Sequence, residues 1–144
     1  MKAVIQRVSS ASVTVDGEIV GQIQKGYLVL LGVTHDDTRA EADRIVKKMV
    51  NLRIFSDENG KINLSLKDVD GSLLIVSQFT LYADTRHGNR PGFTFAAKPE
   101  LAEELYEYFI AKCREQIPVV EHGTFGAHMD VALTNDGPFT IILE

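Results

Sequence analysis

The seven residues "YLVLLGV", Tyr27 to Val33, are the longest apolar run of this chain and decide its fold class. Apolar side chains at successive positions leave no polar face, which indicates a central strand buried on both sides of a sheet. The run is far too short to span a bilayer, which takes about 20 apolar residues in a helix. The segments around it must therefore provide its cover.

The segment before this run predicts an antiparallel hairpin. Residues 3–8 and 12–15 alternate or run apolar with β-branched side chains, and Asp16-Gly17 separates them from "EIVGQI". Asp-Gly supplies the positive φ angles that a tight hairpin turn requires.

The segments after the run alternate between strand and helix patterns. From Thr38 apolar residues fall at helical spacing, and Thr38 with Glu41 makes a capping box. A second amphipathic helix is predicted from Pro99 to about residue 116. Strand-like segments fill most of the remainder: "RIF" 53–55, "INLSL" 62–66, "SLLIVSQFTLY" 72–82, and residues 119–121, 129–133 and 140–143.

This order predicts one α/β domain spanning residues 1–144. A hairpin comes first, then two β-then-α units, then a group of C-terminal strands. We expect a mixed sheet with both helices packed on one face. The other face then needs another cover, and self-association is one way to provide it.

Composition narrows the class of protein. Apolar residues make up 44% and charged residues 24% of the 144, as in globular proteins that are not membrane-embedded. The N-terminal segment lacks the pattern of a signal peptide, so we expect a cytoplasmic protein with no membrane partner. A net charge of -5 argues against tight non-specific binding to nucleic-acid phosphates.

The common catalytic signatures are absent from the sequence. No nucleophile elbow, P-loop, dinucleotide fingerprint or zinc-protease motif occurs, and the four histidines lack ligand spacing. We therefore expect no metal and no cofactor. Cys113 falls on the apolar face of the second helix and is interpreted as a core residue rather than a nucleophile.

Polar residues interrupt the apolar strand 72–82. Ser77, Gln78 and Thr80 surround Phe79 after the run Leu73–Val76. Buried polar groups must be paired, so this pattern indicates either a strand end with satisfied hydroxyls or a ligand site. Phe79 itself fits a core aromatic or a ligand contact.

The sequence leaves two interpretations open for Arg7 and two for the basic loop at residues 84–93. Arg7 interrupts "VIQRV" and is either an edge-strand surface residue or a fixed guanidinium for an anion. The loop "DTRHGNRPGF" carries Arg86, His87 and Arg90, which either contact an RNA backbone or are simply solvated.

The sequence resembles the D-aminoacyl-tRNA deacylases. "SQFTL" at 77–81 and "NDGPFT" at 135–140 look like the two signature motifs of that family, in the expected order. The similarity extends over nearly the whole chain, including "AVIQRVSSASVTVDG", "NLRIFSDENGK" and "FGAHM". The resemblance implies hydrolysis of the ester between a D-amino acid, or glycine, and the terminal adenosine of tRNA. It also implies a homodimer with active sites at the subunit interface.

The resemblance also implies roles for the second motif. The Gly137-Pro138 peptide bond is expected to be cis and to reach into the partner's site, where its carbonyls bind the substrate α-ammonium. An L side chain would then strike this backbone, whereas a D side chain would point to open space. Arg7 is expected to order this segment, and Met129 to line the pocket.

For the first motif, we expect backbone amides near Gln78, Phe79 and Thr80 to stabilise negative charge on the ester carbonyl oxygen, supported by the Gln78 side chain and Ser77. Thr80 is either a nucleophile or a positioning group, and the latter is preferred because the sequence provides no base to activate it. Phe79 is expected to pack beside the adenosine or amino acid, and Arg86, His87 and Arg90 to contact the tRNA. The alternatives are a non-catalytic RNA-binding dimer and a generic small-molecule esterase.

Overall fold

The computed structural model describes residues 1–144 and has a mixed α/β fold. The helices are α1, Arg39–Asn51, and α2, Pro99–Arg114, and a short 3₁₀ helix covers Phe79–Tyr82. Neither helix has the length and apolar character to cross a membrane. The strands are β1 Lys2–Val15, β2 Glu18–Ile23, β3 Gly26–Gly32, β4 Arg53–Ser56, β5 Ile62–Ser65, β6 Ser72–Ser77, β7 Val120–His122 and β8 Asp130–Leu143.

The main sheet is built around the long strand β1. Its first half pairs antiparallel with β3, its second half pairs with β2, and β8 runs antiparallel along its opposite edge. Strand β3 pairs parallel with β6, and β6 parallel with β7. The predicted hairpin is confirmed, with positive φ angles at Asp16 and Gly17 in its turn. Strands β4 and β5 form a separate two-stranded sheet.

The helices cover one face of the sheet, as the sequence predicts. Helix α1 begins after Thr38, whose hydroxyl accepts a hydrogen bond from the Ala40 N–H, while the Glu41 carboxylate accepts one from the Thr38 N–H. Both helices bury their apolar stripes in a large core that includes Tyr27, whose ring stacks on Phe55. Cys113 belongs to this core, and burial raises the pKa of its thiol to about 12.

Part of the opposite face of the sheet is buried by apolar side chains of the strands themselves. Ser9 has no partner in the β1–β8 register, since Val8 pairs with Asn135 and Ser10 with Thr134. Such a bulge shifts the in–out alternation by one residue. Ala3 and Ile5 therefore face the helices, whereas Ala11 and Val13 join a second apolar cluster on the other side.

Two boundary predictions are wrong. The strand predicted over 72–82 ends at Ser77, because the N–H of Leu81 bonds back to the carbonyl of Gln78 and starts the 3₁₀ helix. The segments 129–133 and 140–143 are predicted as separate strands, but residues 130–133 and 140–143 belong to the single strand β8, and Met129 precedes it. Both halves pair with β1, and only residues 136–139 between them leave the ladder.

Candidate active site

The first signature motif lies where β6 leaves the sheet. Gln78 donates its backbone N–H to the Leu31 carbonyl at 2.8 Å and then caps the 3₁₀ helix. Its side chain turns along the same segment, so that Nε2 donates to the Thr80 hydroxyl at 2.5 Å. The polar residues of this motif therefore form a strand end in which the hydroxyl of Thr80 is satisfied by Gln78.

Gly32 lets this segment lie directly against β3. A Cβ at position 32 would stand 3.2 Å from the Gln78 carbonyl oxygen, 3.0 Å from Cβ of Leu81 and 3.3 Å from the Tyr82 ring. Lys2, the register partner of Gly32, donates from Nζ to the Leu81 carbonyl at 3.3 Å. Gly32 of β3 and Lys2 of β1 therefore fix the position of the first motif.

A cavity of about 570 Å³ opens beside this motif, and 12 of its 17 lining residues are hydrophobic. Ser77, Gln78, Phe79 and Met129 line it, as the sequence-based hypothesis requires of a substrate pocket. Thr80 is not part of the lining and is exposed to solvent. A largely apolar pocket with a few polar groups at one wall is the usual form of a small-ligand site.

The second signature motif protrudes from the β1–β8 ladder. Thr140 pairs with Gln6 and Asn135 with Val8, so four residues of β8 stand opposite the single residue Arg7. The Gly137–Pro138 peptide bond in this bulge is cis, and both residues are exposed.

Arg7 supports this bulge from inside the protein. Its side chain is buried on the helix-facing side of β1, where Nη1 donates to the Ile54 carbonyl at 2.6 Å and Nε donates to the Asp136 carbonyl at 2.9 Å. The guanidinium also lies 4.6 Å from the centre of the Phe139 ring. Of the two interpretations from the sequence, the surface one is therefore wrong.

Asn135 fixes the other side of the bulge. Its Oδ1 accepts from the Phe139 N–H at 2.6 Å, and its Nδ2 donates to the Phe139 carbonyl at 3.4 Å. The residues before and after Gly137-Pro138 are consequently both anchored. The sequence analysis included Asn135 in the second motif but assigned it no role, although an Asn that opens a Gly-Pro turn is a recognisable signal.

One chain does not bring the two motifs into one pocket. Gly137, Pro138 and Arg7 are absent from the lining of the cavity that Gln78 and Phe79 help to form. Either motif taken alone is therefore an incomplete site for the expected chemistry.

The basic loop is less uniformly cationic than its sequence indicates. Arg86 makes a two-pronged ion pair with Asp84, Nε to Oδ1 at 2.8 Å and Nη2 to Oδ2 at 2.9 Å. These hydrogen bonds hold the pKa of the Asp84 carboxyl at about 2. His87 and Arg90 are exposed and make no side-chain hydrogen bond or ion pair.

Phe93 is a cavity residue that the sequence analysis did not single out. It lines the pocket, and its ring meets that of Phe79 edge to face, with centroids 4.9 Å apart. Its position after Pro91-Gly92 provides no signal of this contact, which depends on how the loop folds back onto the 3₁₀ helix.

Comparisons with known proteins place this arrangement in context. The family model described as D-Tyr-tRNA(Tyr) deacylase matches residues 4–144. A D-aminoacyl-tRNA deacylase of Clostridioides difficile is 60% identical over all of this chain and 97% of its own length, and one of Exiguobacterium sibiricum is 57% identical over all of this chain and 99% of its own.

Two solved structures share the fold. One, described as c-Myc DNA Unwinding Element Binding Protein, has a TM-score of 0.94 at 46% identity and covers 100% of this chain and 98% of that one. The other, a probable eukaryotic D-amino acid tRNA deacylase, has a TM-score of 0.83 at 19% identity and covers 99% of this chain and 97% of that one. At that identity the second likeness concerns the fold alone.

Proposed function

This chain belongs to the D-Tyr-tRNA(Tyr) deacylase family, and we propose that it hydrolyses the ester between a D-amino acid, or glycine, and the terminal ribose of tRNA. L-aminoacyl-tRNA is spared, so the reaction proofreads chirality in translation. The observation that carries the proposal is the placement of Ser77, Gln78 and Phe79 on the wall of the cavity.

The reaction is attack by water on the ester carbonyl carbon. The bond from this carbon to the ribose oxygen breaks, the ribose oxygen takes a proton, and the amino acid leaves as its carboxylate. No histidine or lysine hydrogen-bonds to Ser77 or Thr80, so neither hydroxyl has a base to activate it as a nucleophile. We assign assistance in water attack to the neighbouring ribose hydroxyl of the tRNA.

Negative charge on the carbonyl oxygen needs N–H donors. The Gln78 N–H already bonds to Leu31, which narrows the three candidate amides to those of Phe79 and Thr80. Both belong to the first turn of the 3₁₀ helix, where N–H groups lack an intrahelical acceptor. Preorganised donors of this kind contribute about 2.7–4 kcal/mol each to transition-state stabilisation.

Thr80 acts as a positioning residue in this scheme. Its hydroxyl accepts from Gln78 Nε2 at 2.5 Å, which ties the side chain of one motif residue to the turn that presents the amides. Ser77 and Gln78 support the same turn from the end of β6.

Chiral selection is assigned to the carbonyls of Gly137 and Pro138. They accept hydrogen bonds from the substrate α-ammonium, so the two remaining substituents of the α-carbon have defined directions. An L side chain then collides with this backbone, whereas a D side chain points away from it. Glycine is accepted because it has no side chain that could collide. The anchoring of Asp136 by Arg7 and of Phe139 by Asn135 supports a rigid filter.

The two motifs come together in a homodimer. Gly137 and Pro138 protrude from one subunit, and we assign them to the cavity of the partner, since their own chain does not place them in its cavity. Phe79 and Met129 line that cavity and pack against the terminal adenosine or the amino acid. Arg90 and His87, with Arg86, contact the tRNA backbone.

The deciding measurement is deacylation of D-Tyr-tRNA beside L-Tyr-tRNA, with an enzyme-free control for spontaneous hydrolysis. Fast loss of the D ester alone is expected. Loss of both esters would retain a hydrolase but discard the Gly-Pro filter, and loss of neither would favour a non-catalytic RNA-binding dimer. Hydrolysis of simple activated esters that is abolished by Thr80→Ala would instead favour a generic esterase.

A further inference from the structure

We propose that Phe95 and Arg86 form a stacking platform for the unpaired nucleotides that precede the terminal adenosine of the tRNA. The inference rests on the proposed function, because it extends the substrate contact from the cavity along its rim. It concerns residues outside both signature motifs.

Three exposed aromatic rings belong to the cavity lining or to the segment that borders it. Phe79, Phe93 and Phe95 are 53%, 38% and 46% exposed, and Phe93 joins Phe79 at the cavity wall. Phe95 follows Phe93 by two residues and directly precedes Ala96 and Ala97, which also line the cavity. Exposed aromatic side chains beside a cavity favour a binding surface over ordinary surface. The segment that lines the cavity with Phe93 thus also carries Phe95, whose ring contacts Arg86.

The backbone that carries these rings is held firmly. The Thr34 hydroxyl donates to the Phe95 carbonyl at 2.5 Å, a His35 ring nitrogen bonds to the Thr94 carbonyl at 2.5 Å, and the Ala97 N–H donates to the Val33 carbonyl at 2.9 Å. A rigid support for an exposed ring lowers the entropy lost when a partner binds. These contacts distinguish the segment from a mobile solvated loop.

Arg86 completes the platform. Its guanidinium carbon lies 5.4 Å from the centre of the Phe95 ring, and the ion pair with Asp84 fixes the guanidinium plane. Asp84 is itself held by two backbone hydrogen bonds with Gly92, which close the loop 84–92. The position of the cation over the ring is thus set by the loop and not by the ligand.

The chemistry of this surface fits single-stranded nucleic acid. Bases stack on aromatic rings and on guanidinium planes, and phosphates pair with nearby free cations. Arg90 lies in the same loop without an ion-pair partner, so it is available to a phosphate. A second copy of the chain could also cover these rings, but such an apolar contact would leave the unpaired Arg90 without a role. A nucleic-acid ligand accounts for both the rings and Arg90.

The test compares two minimal substrates, the D-Tyr ester of adenosine and the D-Tyr ester of the trinucleotide C-C-A. The wild type, Phe95→Ala, and Phe95→Tyr, which keeps the ring, are assayed on both. Ile62→Ala is the matched control, because Ile62 is 58% exposed on β5 and outside the cavity lining.

We expect Phe95→Ala to lower kcat/KM for the trinucleotide ester by about 5- to 150-fold, the loss corresponding to one stacked base, and to leave the adenosine ester unchanged. Phe95→Tyr and Ile62→Ala should retain the wild-type ratio of the two values. Equal effects on both esters, or none, overturn the platform. Dissociation of the assembly by Phe95→Ala, measured by sedimentation, also overturns it and assigns the ring to an interface between copies.

Failure of the deacylase assignment can be distinguished from failure of the stacking platform. If the wild type hydrolyses neither ester nor D-Tyr-tRNA, the deacylase assignment falls. Calorimetric titration with the trinucleotide C-C-A that carries no amino acid then tests the platform alone. Weaker binding of this trinucleotide to Phe95→Ala supports the platform, and unchanged binding overturns it.

Discussion

The Nε of Arg7 donates to the carbonyl oxygen of Asp136 at 2.9 Å, which joins a buried residue of the first strand to the exposed Gly-Pro bulge of the last. The same guanidinium donates a second hydrogen bond, from Nη1, to the Ile54 carbonyl. One side chain thus satisfies two carbonyls in fixed directions, which a planar guanidinium allows.

Arg7→Lys should reduce both stability and activity. A lysine has a single ammonium and cannot hold both carbonyls while packing on Phe139, and a buried carbonyl without a partner costs about 1–3 kcal/mol. Urea unfolding and the deacylation rate of D-Tyr-tRNA measure the two effects. Arg44→Lys is the control, since Arg44 bonds only the Glu144 carbonyl at the surface. Wild-type behaviour of Arg7→Lys would contradict the anchoring role.

Gly137→Ala should weaken D/L discrimination. Residue 137 has φ +150°, which a side chain disfavours, and its Cβ would stand 2.8 Å from the Phe139 nitrogen. The carbonyls proposed to hold the α-ammonium would have to turn. The measurement is the ratio of D- to L-Tyr-tRNA deacylation.

Gly60→Ala is the control for this backbone penalty, because Gly60 also has a positive φ but open space around it, in the remote β4–β5 turn. An unchanged D/L ratio in a folded Gly137→Ala protein would remove the filter from this segment.

Gly32→Ala should lower kcat more than it raises KM. The added methyl forces Gln78 and Leu81 away by a few tenths of an ångström, and we expect about a tenfold loss because small displacements of catalytic groups are costly. Gly21→Ala is the control and is more crowded still, since its Cβ would stand 2.6 Å from the His122 carbonyl oxygen, but Gly21 lies on β2. It should reduce stability while the folded fraction keeps its kcat. Similar kinetic effects in both variants would count against a specific positioning role for Gly32.

Thr80→Val should reduce the rate without abolishing it. Valine keeps the shape but loses the hydroxyl that accepts from Gln78, so the turn is less well ordered while its amides persist. Single-turnover assays separate this loss in rate from any loss in affinity. Gln78→Ala should resemble it, since both remove one hydrogen bond. Complete inactivity of Thr80→Val, with an acyl-enzyme trapped in the wild type, would make Thr80 the nucleophile.

Cys113 should resist alkylation in the folded protein. Burial raises the pKa of its thiol to about 12, against about 8.5 for a free thiol, so the reactive thiolate is rare at pH 8. The unfolded chain loses this proton more readily, and the stabilising effect of the neutral thiol should decline as pH rises above about 8.5. Mass spectrometry after iodoacetamide treatment at pH 8, with and without urea, tests this. Rapid alkylation of the native protein would contradict the buried position.

Local patterns anticipated the regular elements well. The Asp16-Gly17 hairpin, the Thr38 capping box and the apolar stripe of α2 depend on residues within a few positions of one another, so the sequence carries their signals directly. The end of β6 was missed because it depends on β3, where Gly32 makes room for the turn and Leu31 takes the last strand hydrogen bond.

The sequence by itself determined the two-helix mixed α/β fold and the two motifs, because hydrophobic period and short-range hydrogen bonding are written in neighbouring residues. Only the tertiary structure decided where the motifs stand relative to each other. Arg7 and Asp136 are 129 positions apart, and their contact exists because β1 and β8 pair around a four-residue bulge. Phe93 reaches Phe79 through a loop held by Thr34 and Asp84. Such contacts arise from packing between distant segments, which no local pattern encodes.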